Sequence, residues 1–476
     1  MDQQPLTQSR PHGRPSGAAE ALLIVTAVAV AAATVEAPLV APLIVAGAVF
    51  VLAAARFKLL LLFVVFFLPV SPILQWALPI HDLGTLVRLA MFMGVFAARI
   101  IYREPFWKWL LSGRLTQTIV AYCLIAVASA VVFNKPSEVA VRELMRLVSY
   151  LGFYYVIIGW AETEEEIRSI FRVLLISTIV VTLFGFYQAI IGDYSGIYNA
   201  LYPIQEEALK IGDWSGRITS FLSHYNGLAG YLNMVLPLAL AIGIFSQSGM
   251  RRLGQVTFVL GSVAVLLTQS RGGLIAYATI PLVAAGFLPA TPRARFKWMT
   301  RVCVALAVAG VTAGFMFERL AGVDEFTSVT RLAIWAGALG IFLSAPWMGV
   351  GFGNFSTMLG SFIPVTAGTL LEAHNLYLEL LAETGVIGLV GYAVMVVIFF
   401  KTALRHYRRP LDEIDLIVGF GAAAAMVTVL THGTVDYIFH HGPQASSLFF
   451  LIVGLLAANE RRRRALEAGR MPISAG

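Results

Sequence analysis

The chain has 476 residues, of which 58% are hydrophobic and 13% charged, with mean hydropathy +0.79 and a formal net charge of +7. A soluble enzyme covers its surface with roughly 25% charged residues, so this composition excludes a soluble multidomain protein and points to one membrane-embedded domain. The cations form short clusters between apolar runs, which is a topology signal and not a nucleic-acid surface, and the two cysteines, both inside apolar runs, offer neither a disulfide framework nor a zinc site.

Taken in chain order, residues 1–19 are polar and basic and are expected to form a cytoplasmic tail. Apolar runs follow at 20–34, 38–55, 58–79, 83–102, 115–133, 141–160 and 167–191, and then at 221–246, 254–270, 272–289, 299–317, 375–400, 414–433 and 446–459. About 20 helical residues cross the roughly 30 Å hydrocarbon core. With no ten-residue alternation to suggest a barrel, the pattern predicts an all-α polytopic membrane protein with 12–14 transmembrane helices. The transmembrane domain is expected over 20–459, with 460–476 as a second cytoplasmic tail. The acidic run "ETEEE" (162–166) reads as a helix start, where carboxylates meet the positive end of the dipole.

Lysines and arginines mark the inner loops. They collect at Arg56/Lys58, 103–114, Arg251/Arg252, 293–301, 401–409 and 461–464, and these connections alternate with poorer ones. Both termini are therefore expected in the cytoplasm. Two long loops, about 192–220 and 318–374, and the short segment 432–444 fall on the opposite face.

Several arginines escape this rule. Arg142, Arg146, Arg217, Arg271 and Arg331 map to the outer face or just within it. An arginine near hydrocarbon costs about 2.5–3.5 kcal/mol on insertion scales. Each one alone is equally well explained by a salt bridge to an acid such as Glu143, Asp213 or Glu325, whereas together they ask for an anionic ligand such as a phosphate. Arginine's planar fork suits that role. Arg271 is followed by Gly272 and Gly273, where a chain reversal can add backbone N–H groups to an anion site.

The stretch 370–389 holds Glu372, His374, Asn375, Glu379 and Glu383 at the start of an otherwise apolar span. Asn375, Glu379 and Glu383 recur every four residues, so one helical face points into protein or water and not into lipid. His374 is a candidate general base or a helix-start cap, and Glu372 either orients the imidazole or is a solvated acid. Asp82 and Asp436 are reserve bases on the outer side. "GVGFGNF" (349–355) follows no strand, so its glycines read as a tight loop rather than a nucleotide site. No metal-spaced cluster is visible.

The ordered set "SRGG" (270–273), "TRLAIWAGALGIFLSAPWMGVGFGNF" (330–355) and "HNLYLELLAETGVIGL" (374–389) resembles the conserved region of the bacterial O-antigen ligase and polymerase family. The likeness covers about the C-terminal half, and "GRITSFLSHYNGLAGYLN" upstream resembles a further family segment. It implies a GT-C-like helical glycosyltransferase of the bacterial inner membrane with a periplasmic site, working without cofactor or metal and with inversion. The implied donor is an undecaprenyl-diphosphate-linked glycan. The implied acceptor is a lipid A core sugar in a ligase or the end of another lipid-linked repeat in a polymerase, and the fullness of the match around His374 leans to the ligase. In this reading Arg217 and Arg271, with Arg142 and Arg331, hold the diphosphate; His374 deprotonates or orients the acceptor hydroxyl; Asn375, Glu372 and Glu379 support it. Membrane lipids are the other partners, and no nucleic acid is expected. A transporter of a lipid-linked sugar is the competing reading, although its binding charges would lie near the midplane.

Overall fold

The computed structural model describes residues 40–70, 82–101, 111–132, 137–192, 216–222, 224–287, 325–363, 372–437 and 443–469. The spans expected at 20–34 and 299–317, the tail 1–19 and most of the first long loop lie outside these residues. Among the described residues there are thirteen α-helices and no strand. They are α1 Val40–Phe67, α2 Leu83–Ile101, α3 Arg114–Val132, α4 Glu138–Trp160, α5 Glu164–Ile191, α6 Tyr225–Phe245 and α7 Met250–Thr268, followed by α8 Arg271–Phe287, α9 Glu325–Ser344, α10 Phe355–Leu359, α11 Leu376–Arg408, α12 Glu413–His432 and α13 Pro443–Glu467. Six of them, α3, α5, α6, α7, α11 and α12, are long and apolar enough to cross a membrane. The chain is an all-helical polytopic membrane protein.

Local chemistry sets the helix ends. Thr163 and Glu166 form a reciprocal capping box at the start of α5, where the acidic run predicted it, and Gly192 closes the helix in a left-handed conformation. Asp412 caps α12 and Ser137 caps α4. Helix α6 is the most enclosed: it packs on α7, α8 and α12, and its residues from Asn226 to Ala239 are all buried. Helix α11 lies against α3 and α12, α13 against α4, and α2 between α1 and α4.

Helix α1 joins the two spans expected at 38–55 and 58–79. Val45 packs on Leu83, and Phe67 and Leu68 line a cavity with the same Leu83. Lys58 stands 5.7 Å above the ring of Trp160, the last residue of α4.

Three features differ from the sequence reading. The second long loop is largely structured, with α9, α10 and the glycine loop between them. Helix α11 is interrupted at Gly385 (φ +63°, ψ −165°). The glycine loop docks on that break: Val350 N–H donates to Ala382 C=O and Gly351 N–H to Glu383 C=O, both at 3.0 Å, while Val386 N–H donates to Pro346 C=O at 2.9 Å and Ile387 N–H to Trp347 C=O at 3.2 Å. A broken helix inside a membrane protein must find such partners, because lipid offers none. Finally, α13 continues through Glu467, so the residues from 460 onward begin as helix. Two of its four consecutive arginines are buried: Arg462 donates twice to Asp412, at 2.6 and 2.9 Å, and Arg463 donates to Asp415 at 2.9 Å. The sequence "RRRR" reads as a solvated topology signal because charge counting does not reveal that Asp412 and Asp415 fold back onto it.

Candidate functional site

His374 stands immediately before α11 with its backbone in the left-handed region (φ +46°). That conformation is costly for a residue with a Cβ and persists only where the surroundings enforce it. Here the enforcement comes from both sides. Asn375 caps α11, its Oδ1 accepting from the N–H groups of Tyr377 and Leu378 at 3.0 Å, while its Nδ2 donates to Thr434 C=O at 2.9 Å. Leu376 N–H donates to Gly433 C=O at 2.8 Å. The start of α11 is thus tied to the turn after α12, and that turn carries Asp436.

Asp436 is 3% exposed at its side chain, and its Oδ1 lies 3.2 Å from His374 Nδ1 while accepting the Tyr437 N–H at 2.9 Å. An imidazole held by a carboxylate has one ring orientation. Sequence reading kept His374 and Asp436 as separate candidates; their pairing arises from tertiary contact across 62 residues and leaves no local signal.

Two of the arginines lie on segments near this turn. Arg271 opens α8 and is exposed. The next residue, Gly272, is so close to the Asp436 turn that an added Cβ would lie 2.7 Å from Val435 Cγ2 and 3.2 Å from the His432 ring. Ser270 fixes the reversal: its hydroxyl donates to Asn226 Oδ1 at 2.7 Å and accepts the Gly273 N–H at 3.1 Å. Asn233 Nδ2 holds Gly273 C=O at 2.8 Å. The segment carrying Arg217 runs alongside, with Gln269 Nε2 donating to Gly216 C=O at 2.9 Å and Ile218 N–H donating to Leu267 C=O at 3.3 Å. The Arg217 guanidinium lies 4.7 Å from the centre of the Tyr225 ring, a cation–π contact that orients it without neutralising it.

Arg142 belongs to a different neighbourhood. It lies 3.9 Å from Asp82 and 3.3 Å from Glu138, and Arg146 donates to Asp82 and Glu143. Both arginines line a cavity of about 770 Å³ together with Glu143, Glu372, Glu379 and Glu383. Glu379 Oε2 accepts the Ala373 N–H at 3.0 Å and Glu383 Oε1 accepts the Phe355 N–H at 3.1 Å, so these two buried carboxylates fix the residue before His374 and the start of α10. The four-residue spacing correctly reads as a face turned into protein. Glu143, Phe352 and Tyr437 also line a second, mainly apolar cavity of about 790 Å³ walled by Leu147, Leu380, Met395 and Phe450. The two cavities share these three residues, one being lined by charged groups and the other mainly by apolar ones.

Arg331 sits on α9 one turn before Trp335, whose indole N–H donates to Ala373 C=O at 2.8 Å. Its Nε is buried and has no hydrogen-bond partner among the described residues. The five arginines therefore divide: Arg271 adjoins the glycine that packs on the Asp436 turn, Arg217 lies on the segment tied to the end of α7, Arg142 and Arg146 line the carboxylate cavity, and Arg331 stands on the element that braces Ala373. A residue that sequence reading overlooked is Arg88, 6% exposed in α2, which donates to Ser149, Ser447 and Thr85 at 3.0–3.1 Å and lies 4.6 Å from the Tyr150 ring centre. An apolar flank hides it from any charge count.

Comparison with known proteins bears on this part of the chain. Residues 256–393, which include Arg271, Arg331, His374, Glu379 and Glu383, match the family model described as O-Antigen ligase. Over 364 residues the chain is 22% identical to the teichuronic acid biosynthesis protein TuaE of Bacillus subtilis (strain 168), covering 70% of this chain and 69% of that protein. The resemblance read from the short motifs is thereby found again: residues 256–393, which hold His374 and Arg271 but not Asp436 or Arg217, are similar to the O-antigen ligase family.

Proposed function

We propose that the protein transfers a glycan from a polyprenyl-diphosphate carrier to an acceptor hydroxyl at the outer face of the bacterial inner membrane, without a metal ion. The observation that carries this reading is the His374–Asp436 pair, 3.2 Å apart, on a turn that packs against Gly272, the neighbour of Arg271. The family acts on lipid-linked glycans, and the chemistry required is simple to state. The acceptor oxygen attacks the anomeric carbon, the bond from that carbon to the diphosphate oxygen breaks, and the diphosphate leaves with the electron pair. Arg271 and Arg217 bind the diphosphate and stabilise its growing charge, as a metal ion does elsewhere. His374 takes the acceptor proton, and Asp436 holds the ring and stabilises the resulting imidazolium. The strained backbone at His374 fits a group fixed in one orientation before substrate arrives.

A lipid A core sugar is the acceptor in the ligase form of this reaction. The polymerase form, in which the acceptor is the end of another lipid-linked chain, draws support from the relative named for teichuronic acid biosynthesis. Purified protein incubated with a polyprenyl-diphosphate-linked oligosaccharide and each acceptor, in the presence of a chelator, separates the two by product mass. Lengthened carrier-linked chains mean polymerisation, and glycan-capped lipid A core means ligation. No product with either acceptor, together with carrier movement across a liposome membrane, would replace the proposal by transport.

A further inference from the structure

At the far ends of the helices from His374 lies another cavity that the transfer reaction does not use. About 1050 Å³ of open volume lies between the start of α3, the last turns of α11 and the last turns of α13. Four cations line it, Arg114, Lys401, Arg405 and Arg464, against one carboxylate, Glu460. That carboxylate is already occupied: it pairs with Arg405, accepts from Arg464 Nε at 2.8 Å and lies 2.9 Å from His406 Nε2. Among the described residues, Arg114 and Lys401 have no carboxylate within 4.0 Å.

The preference of inner loops for Lys and Arg explains why cations occur on this face, but not why four of them converge on one hollow. Like charges brought together repel, and the arrangement is favourable only with an anion between them. Two further features favour one. Gly113 brings the Arg464 guanidinium to the start of α3, where an added Cβ would lie 3.4 Å from its Nη1. Arg114 opens α3, whose first N–H groups lack helical acceptors and form the positive end of the dipole. Leu115, Ile398 and Ala457 give the same cavity an apolar wall. Cations at a rim above apolar helix surface suit a phosphate attached to acyl chains better than a free one.

We propose that this cavity binds the phosphate headgroup of an acidic phospholipid in the leaflet opposite the transfer site. The test uses the full chain purified in a neutral detergent, with binding of fluorescent cardiolipin and phosphatidylcholine measured by titration and inorganic phosphate added as competitor. Wild type should prefer cardiolipin. Arg114→Gln and Lys401→Gln, both at exposed side chains, should each weaken cardiolipin binding about 5-fold and together roughly 25-fold, with unchanged elution and melting. Phosphatidylcholine bound as tightly as cardiolipin, or a double variant that binds like wild type, would overturn the proposal. Displacement of cardiolipin by low millimolar phosphate would also overturn it, assigning the cavity to a soluble phosphate compound.

Discussion

Gly349→Ala tests whether the glycine loop is what holds the broken helix together. Gly349 has φ +68°, and an added Cβ would lie 2.2 Å from Glu383 C, 2.3 Å from Glu383 O and 2.5 Å from Thr384 N. All three are backbone atoms, so no side chain can swing away. The left-handed conformation alone costs an alanine about 1–2 kcal/mol. Relieving the contact then requires the loop to withdraw by about 1 Å. That stretches the adjacent bonds from Val350 to Ala382 and from Gly351 to Glu383; the Glu383 carbonyl keeps the Ser129 hydroxyl as donor, whereas the Ala382 carbonyl left without one costs about 1–3 kcal/mol. The expected loss is therefore about 2–5 kcal/mol. Gly192→Ala is the control, since Gly192 has φ +73° and open space around it, so it bears only the conformational cost. Thermal unfolding of the two variants in one detergent, followed by tryptophan fluorescence, should show Gly349→Ala far below Gly192→Ala. Equal midpoints would refute the clamp. Because Phe355 N–H also binds Glu383, the clamp variant should in addition lower glycan transfer beyond what its lost folded fraction explains.

Other outcomes follow from the same geometry. Asp436→Asn should cut the transfer rate about 100-fold or more, because the imidazole loses the carboxylate that fixes its ring; a rate like that of wild type would mean that the pair is structural only. Arg271→Lys should lose roughly 30-fold in transfer, equivalent to about 2 kcal/mol for one charge-assisted bond of a fork, whereas near wild-type activity would show that a point charge suffices. Acid stability should depend on Asp412: burial pushes its carboxyl up, but two hydrogen bonds and the charge of Arg462 outweigh this and hold it below the ordinary range. A depressed folded value means stabilisation present above about pH 4 and lost as the pH falls further. Asp412→Asn should accordingly flatten the acid side of the stability curve, and an unchanged slope would remove Arg462 from the account.

Helix positions were legible because lipid demands long apolar runs. The ends of α3, α6, α8 and α12 fall within four residues of the apolar runs that predict them. The interruption of α11 was not legible, since a single glycine in an apolar run looks like many others, and its partners lie some 35 residues earlier. For the candidate site, residue type nominates His374 as an imidazole at a loop–helix junction and Arg217 and Arg271 as cations on the side where topology does not call for them. Pairing did not follow from residue type. Asp436 meets His374, Arg142 meets Asp82 and Arg462 meets Asp412 only through the packing of helices distant in sequence. Arg88 was hidden for the converse reason, since serine and threonine hydroxyls that satisfy an arginine carry no charge to attract notice.

The central claim is that His374 takes part in glycan transfer from a diphosphate-linked lipid. Wild type and His374→Ala, purified in parallel and matched for folded fraction, should be given the same polyprenyl-diphosphate oligosaccharide and acceptor with a chelator present. The account predicts a transferred product from wild type and, from His374→Ala, a yield lower by about 100-fold or more, with carrier binding retained through Arg217 and Arg271. Equal yields from the two proteins would contradict it.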